Sequence, residues 1–360
     1  MQSGKLFIKG NEAVALAAIE AGCVHYFGYP ITPQSEIPEY LARELPKIGG
    51  QFLQAESETA AINMLLGASA TGVRSMTSSS GPGISLMQEG ISYMAGSELP
   101  GVIVDVMRSG PGLGGIDASQ ADYFQATHGG GHGGYHIIVL APCSVQEMYD
   151  LTMLAFDLSD IYRIPAMVLA DAVIGQMKES IVAHPRPATL LPEKSWAVRG
   201  KEEGQSQNIV KSLQLGDGEM EAFHWKMHAR YQSLSLNECR WEEYLTSDAE
   251  LIVTAFGSAA RIAKSAVEMA RDSGLKIGLM RPISLYPFPQ AAYRSLSERC
   301  KNFLDIELST GQMINDVKLS VARDTEVFFY GRPPGTGSLP DPEELFQHIK
   351  STLWQLPVQV

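Results

Sequence analysis

Short apolar segments alternate with helix-forming segments over the first half of the chain. The apolar segments have the length of buried strands and lie at Leu6–Lys9, Val24–Tyr29, Gln51–Ala55, Arg74–Ser78, Gly101–Met107, Ile137–Ala141 and Ala166–Ala170. Helices are predicted between them at Ala13–Ala21, Gln34–Leu45, Glu58–Ala70, Ile84–Met94 and Val145–Ile161. Such an alternation predicts an α/β fold, with a parallel sheet covered by helices on both faces.

The pattern changes between residues 193 and 248, which are polar and include one helical stretch. After this region the alternation resumes, with strands predicted at Leu251–Phe256, Lys276–Met280, Asn302–Glu307 and Glu326–Tyr330. The accompanying helices are predicted at Ala259–Asp272, Pro289–Glu298, Met313–Arg323 and Asp341–Leu353. We therefore expect a first α/β domain over 1–192, a linker with a helix over 193–248, and a smaller α/β domain over 249–360.

The loop Ser109–Tyr135 is long, rich in glycine and without periodicity. Loops of this length in compact domains are usually functional or disordered, so we expect a functional loop, with a flexible flap as the alternative. Three histidines in or beside the loop, His128, His132 and His136, suggest a metal site, but no carboxylate or thiolate is placed to complete one. We expect no metal on this chain.

Charge and cysteine content narrow the possible classes of protein. The chain has 28 basic and 40 acidic residues among 360, a net charge of −12. This balance disfavours binding to nucleic acid or anionic lipid. The four cysteines contain no C-x-x-C pair, which disfavours an iron–sulfur cluster or a structural zinc on this chain. No apolar run approaches the roughly 18 residues of a membrane span, and the sequence predicts a cytoplasmic protein with reduced cysteines.

Polar residues follow several of the predicted strands, at the ends where open α/β sheets bind their ligands. Thr32 follows the second strand, Glu58 the third, Ser80-Gly81-Pro82-Gly83 the fourth and Arg108 the fifth. Together they predict a site for an anionic small molecule. Each also has a structural explanation. Glu58 would interact favourably with the dipole of the helix that it begins. Thr32 would be the polar tip of a rigid turn, and Arg108 would end a strand at the surface.

A series of motifs resembles one protein family. In the first domain they are similar to the pyrimidine-binding domain of 2-oxoacid:ferredoxin oxidoreductases, at Gly28-Tyr29-Pro30-Ile31-Thr32-Pro33, Ala55-Glu56-Ser57-Glu58-Thr59-Ala60-Ala61 and Met76-Thr77-Ser78-Ser79-Ser80-Gly81-Pro82-Gly83. In the second domain they resemble the alpha-type subunit, at Ala260-Arg261-Ile262, Arg281-Pro282-Ile283 and Glu307-Leu308-Ser309-Thr310-Gly311-Gln312-Met313. The resemblance spans nearly the whole chain, and the run of motifs is far more specific than any one of them.

The resemblance implies a thiamine-diphosphate pyrimidine-binding domain with a parallel sheet, followed by a smaller α/β domain like the C-terminal domain of transketolase. Glu58 matches the family's activating glutamate, whose carboxylate hydrogen-bonds to the ring nitrogen of the aminopyrimidine. Thr32 and Arg108 match positions that bind the carboxylate of the substrate. The other matching residues line the cofactor, at Pro30, Ile31, Ser80, Gly81, Pro82 and Gly83.

The family pattern also implies partner subunits. In thiamine enzymes a GDG…N signature binds magnesium and the diphosphate, but Gly216-Asp217-Gly218 follows a helical stretch instead of a strand and lacks a correctly spaced asparagine. The resemblance therefore implies that Mg²⁺ and the diphosphate are bound by a beta-type subunit. It also implies 4Fe-4S clusters on partner subunits, together with gamma-type and ferredoxin-like subunits. Such an enzyme decarboxylates a 2-oxoacid, transfers the acyl group to coenzyme A and reduces ferredoxin.

The loop after Arg108 indicates a subfamily. The segments Arg108–Gly114 and Gln120–Thr127 look most similar to the branched-chain subfamily, which acts on 3-methyl-2-oxobutanoate (2-oxoisovalerate), whereas Gly115-Ile116-Asp117 departs from it. The loop has no lysine or arginine before Tyr135 that could pair with a second carboxylate. Its larger apolar side chains are expected to form an apolar wall for a branched tail, at Leu113, Ile116, Tyr123 and Phe124.

Three alternatives remain at this point. The alpha subunit of a 2-oxoglutarate:ferredoxin oxidoreductase has a similar sequence. A non-catalytic scaffold subunit could keep the fold, although the presence of Glu58, Thr32 and Arg108 opposes this. A transketolase-like enzyme acting alone would need the diphosphate motif that the sequence lacks.

Overall fold

A computed structural model describes residues 4–185, 190–201, 204, 206–335 and 339–355. The strands are β1 (Lys5–Lys9), β2 (His25–Gly28), β3 (Gln51–Gln54), β4 (Ser75–Ser79), β5 (Gly101–Met107), β6 (Ile138–Leu140), β7 (Pro165–Asp171), β8 (Lys178–Val182), β9 (Trp241–Tyr244), β10 (Leu251–Thr254), β11 (Ile277–Pro282), β12 (Ser284–Tyr286), β13 (Asn302–Glu307) and β14 (Glu326–Gly331). The helices are α1 (Gly10–Glu20), α2 (Glu36–Glu44), α3 (Glu58–Ala70), α4 (Gly81–Gly96), α5 (Tyr123–Thr127), α6 (Val145–Tyr162), α7 (Ala172–Gln176), α8 (Glu219–Asn237), α9 (Gly257–Asp272), α10 (Gln290–Arg299), α11 (Met313–Ser320) and α12 (Pro342–Gln355).

The larger sheet has seven strands in the order β12-β6-β7-β5-β4-β2-β3. All neighbouring pairs are parallel except β12 with β6. Strands β4, β5 and β7 are buried along their whole length, which is typical of a parallel sheet covered on both faces. Helices α1, α2 and α6 pack on one face, and α3 and α4 pack on the other. The predicted α/β architecture is confirmed.

The second sheet has five strands in the order β14-β13-β10-β11-β9, and only β9 is antiparallel to its neighbour. Helices α9 and α12 cover one face. The other face packs toward the first domain, because Phe256, Met280 and Tyr293 share one apolar cluster with Ile103 and Met107 of β5. The two sheets are thus joined through a continuous apolar core.

Three short strands were missed by the sequence prediction, and one was assigned to the wrong sheet. Strand β1 was expected in the parallel sheet, but it pairs antiparallel with the unpredicted β8 in a separate two-stranded sheet. Strand β9 lies in the segment predicted as a linker and forms an edge of the second sheet, whereas β12 returns to the first sheet. These strands have three to five residues and pair with distant parts of the chain, so local periodicity does not reveal them.

No helix in the part of the chain that the structure describes is both long enough and apolar enough to cross a bilayer.

Candidate functional site

Four of the sequence-predicted segments meet at one edge of the larger sheet. The turn at residues 29–33 follows β2, Glu58 begins α3 after β3, residues 80–83 lead into α4 after β4, and Arg108 follows β5. Strands β3, β2, β4 and β5 are adjacent and parallel. Their carboxyl ends therefore face the same way, which is the condition that allows side chains from four separate segments to form one site.

Glu58 points into this edge and is only 6% exposed. The hydroxyl of Ser57 caps α3 by accepting a hydrogen bond of 3.2 Å from the Ala60 amide, so the helix start does not depend on the Glu58 carboxylate. A Cβ atom at Gly83 would lie 2.6 Å from Glu58 Oε1 and 2.0 Å from Ser79 Oγ. Glycine at position 83 thus leaves the space in which the carboxylate meets the end of β4.

The turn that carries Pro30, Ile31 and Thr32 is fixed from behind. The carbonyl oxygen of Pro33 accepts hydrogen bonds from Asn11 Nδ2 at 2.8 Å and from Gln176 Nε2 at 2.7 Å. Thr32 itself is exposed at the tip of the turn. Asn11 and Gln176 are not evident from the sequence as contributors, because their relation to the turn arises only from the packing of α1 and α7.

Arg108 is a buried residue and not a surface strand end, since only 8% of it is exposed. It donates a hydrogen bond of 3.0 Å from Nη1 to the carbonyl of Thr32 and one of 3.1 Å from Nη2 to the carbonyl of Leu113. Its Nε is buried and has no partner among the described residues. Arg108 therefore joins the turn after β2 to the loop after β5.

The loop Ser109–Tyr135 is anchored to the second domain, which argues against a free flap. Gln120 donates a hydrogen bond of 2.8 Å to the Phe256 carbonyl and accepts one of 2.9 Å from the Leu308 amide. The hydroxyl of Tyr123, in α5, donates to Asp316 at 2.5 Å. Side chains within the loop thus hold it against the second domain.

A cavity of about 810 Å³ opens between this edge and the second domain. Arg108 is the only basic residue and Asp122 the only acidic one among its described lining residues. The lining comprises Gly81, Pro82, Ser85, Arg108, Ser109, Gly110, Pro111, Gly112, Ala121, Asp122, Gln125, Ser309, Thr310, Gln312, Pro333 and Pro334. The cavity therefore carries one cation that could bind an anionic group.

The apolar wall expected from the sequence is absent from this cavity. Leu113 and Ile116 are 82% and 68% exposed to solvent, and Tyr123 is completely buried against the second domain. Phe124 is also outside the cavity lining that the structure describes. The expectation was wrong because the Tyr123 hydroxyl binds Asp316 of α11, and Phe124 lines a separate cavity beside the same helix.

Two acidic residues that the sequence analysis did not select lie at the same edge. Asp105, in β5 beside the last residue of β4, is completely buried, and its carboxyl oxygens have no hydrogen-bond partner within the described part of the chain. Burial raises the pKa of Asp105 well above its ordinary value, and the charge of Asp122 raises it further. Burial also raises the pKa of Asp122, to about 6, against the lowering influence of Arg108. For Asp105, the signal in the sequence was a single aspartate within an otherwise apolar strand.

Neither of the two motifs that suggest a metal is arranged to hold one. No group of three or more histidine, cysteine, aspartate or glutamate residues is placed around a common point in the described ranges. The Gly216-Asp217-Gly218 segment precedes α8, with Gly218 in the left-handed conformation before the first helical turn. It follows no strand, so its geometry differs from the strand-end setting of a diphosphate signature.

Comparison with family models finds two matches that together span most of the chain. Residues 16–240 match the family described as "Pyruvate flavodoxin/ferredoxin oxidoreductase, thiamine diP-bdg". Residues 249–345 match "Pyruvate:ferredoxin oxidoreductase core domain II". The first of these matches alone covers more than half of the chain.

Comparison with individual proteins gives the same assignment. The chain is 54% identical over 321 residues to ketoisovalerate oxidoreductase subunit VorB of Methanothermobacter marburgensis, covering 89% of this chain and 91% of that protein. It is 38% identical over 363 residues to 2-oxoglutarate synthase subunit KorA of Methanocaldococcus jannaschii, covering 94% and 97%.

Two solved structures have a similar fold. The 2-oxoglutarate:ferredoxin oxidoreductase from Magnetococcus marinus superposes with a TM-score of 0.87 at 29% identity, over 97% of this chain and 65% of that longer chain. A split-gene transketolase superposes with a TM-score of 0.61 at 12% identity, which is a likeness of fold alone. The sequence and structural matches agree with the motifs found above, and the chain belongs to the pyruvate flavodoxin/ferredoxin oxidoreductase family.

Proposed function

We propose that this chain is the alpha-type subunit of a 2-oxoacid:ferredoxin oxidoreductase that converts 3-methyl-2-oxobutanoate to an acyl-CoA, with release of carbon dioxide and reduction of ferredoxin. The 54% identity to a ketoisovalerate oxidoreductase subunit is the observation that carries the proposal. Glu58 and Arg108 support it, because a buried carboxylate and a buried guanidinium lie at the same sheet edge. The enzyme would act only with partner subunits.

The described residues fit the pyrimidine half of thiamine diphosphate. An aminopyrimidine presents ring nitrogens and an amino group, and buried groups of this kind need hydrogen-bond partners. The hydroxyls of Ser79 and Ser80 are buried without partners among the residues described, and the Glu58 carboxylate approaches Ser79 past Gly83. Pro30, Ile31 and the turn Ser80-Gly81-Pro82-Gly83 would line the ring.

Each side chain has a separate proposed role in the chemistry. Bound thiamine diphosphate would supply a nucleophilic carbon, formed by loss of its proton, and an electron sink for the decarboxylation. Glu58 would hold a proton at the pyrimidine ring nitrogen. Arg108 would bind the substrate carboxylate through a charge-assisted hydrogen bond, and the Thr32 hydroxyl would donate a second one.

A partner must supply the rest of the cofactor site. The surface beside Glu58 suits such a partner, because Glu58 and Glu89 are the only charged residues in α3 and α4. Leu86 is 55% exposed on this surface, and exposed apolar residues on nearly uncharged helices are typical of protein contacts. We propose that a beta-type subunit binds here and brings Mg²⁺ and the diphosphate site. Gamma-type and ferredoxin-like subunits with 4Fe-4S clusters would complete the complex.

A cytoplasmic location belongs to the same proposal. Cys23, Cys143, Cys239 and Cys300 are all free thiols in the structure. Burial raises the pKa of Cys23 and of Cys143, each to about 12, which makes both thiols poor nucleophiles. Unpaired, unreactive cysteines are consistent with a reducing compartment.

The complete complex is expected to prefer 3-methyl-2-oxobutanoate to 2-oxoglutarate by at least an order of magnitude in kcat/KM. A second carboxylate would enter a cavity in which Arg108 is the only cation among the described lining residues. Burying a charge without a partner costs on the order of several kcal/mol. Ferredoxin-coupled rates with the two acids at saturating coenzyme A measure the preference. A higher kcat/KM for 2-oxoglutarate would overturn the substrate assignment and leave the proposed cofactor site unaffected.

The isolated chain is expected to bind thiamine diphosphate weakly, with little heat in calorimetry at about 100 µM protein. Only the pyrimidine half of the site is present, so the contacts to the diphosphate and Mg²⁺ are missing. Adding the beta-type subunit should restore tight, Mg²⁺-dependent binding. Micromolar affinity for the isolated chain would contradict a cofactor site shared between two subunits.

A further inference from the structure

A series of buried polar side chains lies between the two ends of the proposed site. It starts at Glu58, continues through Ser79 and Asp105, and ends at Asp122 and Arg108. Ser79 and Asp105 are register partners on β4 and β5, and Ser79 shares the space beside Gly83 with Glu58. The proposed reaction assigns roles to Glu58 and Arg108 but none to the two aspartates.

Asp122 is placed where it can interact with an anion bound at Arg108. Both residues line the 810 Å³ cavity. Asp122 Oδ2 lies 3.1 Å from the position of a Cβ on Gly81 and is buried without a partner in the described structure. The positive charge of Arg108 lowers the pKa of Asp122 while burial raises it. The balance between these two influences depends on what occupies the cavity.

We propose that Asp122 takes up one proton when the carboxylate of a 2-oxoacid binds at Arg108, so that substrate affinity depends on pH. The inference rests on the proposed function, since it requires a 2-oxoacid carboxylate at this arginine. The proton comes from solvent and forms the O–H bond of a neutral Asp122 carboxyl group. No other bond changes in this step.

The physical reason is competition between two anions for one cation. In the free enzyme, Arg108 partly stabilises the negative form of Asp122. A bound carboxylate satisfies Arg108 and adds a negative charge to a poorly solvated cavity, and both changes favour neutral Asp122. Asp105 is buried and has no basic partner of its own among the residues described. It therefore cannot offset the repulsion between the bound carboxylate and a charged Asp122.

Few other charged groups face Asp122 from the elements packed around it. Strand β5 contributes Asp105, and Arg108 follows the end of this strand. The start of α4 contributes Gly81, Pro82 and Ser85, and the second domain contributes Ser309, Thr310, Gln312, Pro333 and Pro334, none of which is charged. The response to substrate is therefore expected to be a single-proton event at Asp122.

Proton linkage determines the direction in which substrate affinity changes with pH. In the free enzyme, burial places the pKa of Asp122 at about 6, and a bound anion raises that pKa further. Below both pKa values Asp122 is neutral in either state and affinity is highest. As pH rises above the pKa of the free enzyme, binding must include proton uptake, and affinity falls by at most about tenfold per pH unit. Affinity becomes constant again above the pKa of the complex.

The test measures binding of 3-methylbutanoate, which keeps the carboxylate but lacks the reactive oxo group. Calorimetry on the assembled complex with thiamine diphosphate should give an affinity that weakens on the order of tenfold from about pH 6 to about pH 8. Near pH 7 the binding enthalpy should change with the ionisation enthalpy of the buffer, which reports uptake of a proton. Buffer-independent enthalpy would overturn the proposal without any variant being needed.

Three asparagine variants locate the proton. Asp122→Asn should bind 3-methylbutanoate with less than about a twofold change over this pH range, and more tightly than the parent at about pH 8. Asp105→Asn mimics a neutral acid and should keep the pH dependence of the parent. Asp117→Asn, on the exposed part of the same loop, is the matched control and should also keep it. Retention of the parental pH dependence in Asp122→Asn, or its loss only in Asp105→Asn, would overturn the assignment.

Failure of the inference can be separated from failure of the proposed function. If the proposed function is wrong, the complex neither turns over 3-methyl-2-oxobutanoate nor binds 3-methylbutanoate at any pH. If only the inference is wrong, the complex turns over the oxoacid and binds the analogue, but its affinity is independent of pH or its pH dependence survives in Asp122→Asn.

Discussion

Replacing Glu58 with glutamine is expected to lower kcat by a factor on the order of 10² to 10⁴ while the complex still assembles. The amide is similar in size and fits the space beside Gly83, but it cannot hold the transferable proton at the pyrimidine ring nitrogen. Ser57 caps α3 independently, so the helix start should be unaffected. Ferredoxin-coupled turnover at saturating substrate and coenzyme A measures the loss.

The chain offers a matched control for this variant two residues away. Glu56 is exposed on the segment between β3 and α3, and Glu56→Gln removes the same charge without touching the buried edge. It should keep the activity of the parent. Proton exchange at the reactive carbon of the bound cofactor reports the activation step directly and should slow only in Glu58→Gln. A kcat for Glu58→Gln within a few-fold of the parent would leave Glu58 with only a helix-dipole role.

Replacing Arg108 with methionine is expected to raise KM for the 2-oxoacid by at least an order of magnitude, with a smaller effect on thiamine diphosphate binding. A hydrogen bond to a charged group contributes about 1.5 to 3 kcal/mol, and about 1.4 kcal/mol corresponds to tenfold in affinity. The variant also loses the hydrogen bonds from Arg108 to the carbonyls of Thr32 and Leu113. Steady-state kinetics and cofactor titration on the same complex separate these two effects.

A lysine variant tests whether charge alone is sufficient. Arg108→Lys keeps the positive charge but lacks the planar guanidinium fork. The lysine therefore cannot contact the carbonyls of Thr32 and Leu113 and the substrate at the same time. We expect a KM between that of the parent and that of Arg108→Met. An unchanged KM in Arg108→Met would show that this arginine only connects the two loops and that the substrate carboxylate binds elsewhere.

The sequence was sufficient to predict the meeting of Thr32, Glu58 and Arg108, because the directions of parallel strands are fixed by their helical crossovers. Once the strands are known, the residues that follow them must share an edge. The branched-chain resemblance was also visible in the sequence, and the identity to ketoisovalerate oxidoreductase subunits supports it. The roles of Thr32, Glu58 and Arg108 in catalysis and binding stay predictions until the variants are measured.

Other parts of the site depend on packing that no local pattern contains. Asn11 and Gln176 meet at Pro33 from positions 165 residues apart in the chain, and neither belongs to a recognisable motif. The prediction that Leu113 and Tyr123 line the substrate cavity was wrong. An apolar side chain in a loop can face a ligand, a domain contact or a partner, and composition does not distinguish these three environments. Asp105 could have been noticed, since a fully buried strand seldom contains an unpaired carboxyl group.

The hydrogen bonds of Gln120 also bear on how this protein can change during evolution. They connect the loop to Leu308, 188 residues further along the chain, and the neighbouring contact from Tyr123 depends on the identity of Asp316. Recombination that exchanged the second domain alone would separate Tyr123 from the carboxylate that accepts its hydrogen bond and Gln120 from the main-chain groups that it fits. The loop and the second domain are therefore constrained to be inherited together, even though the first domain's last strands and the whole of α8 lie between them.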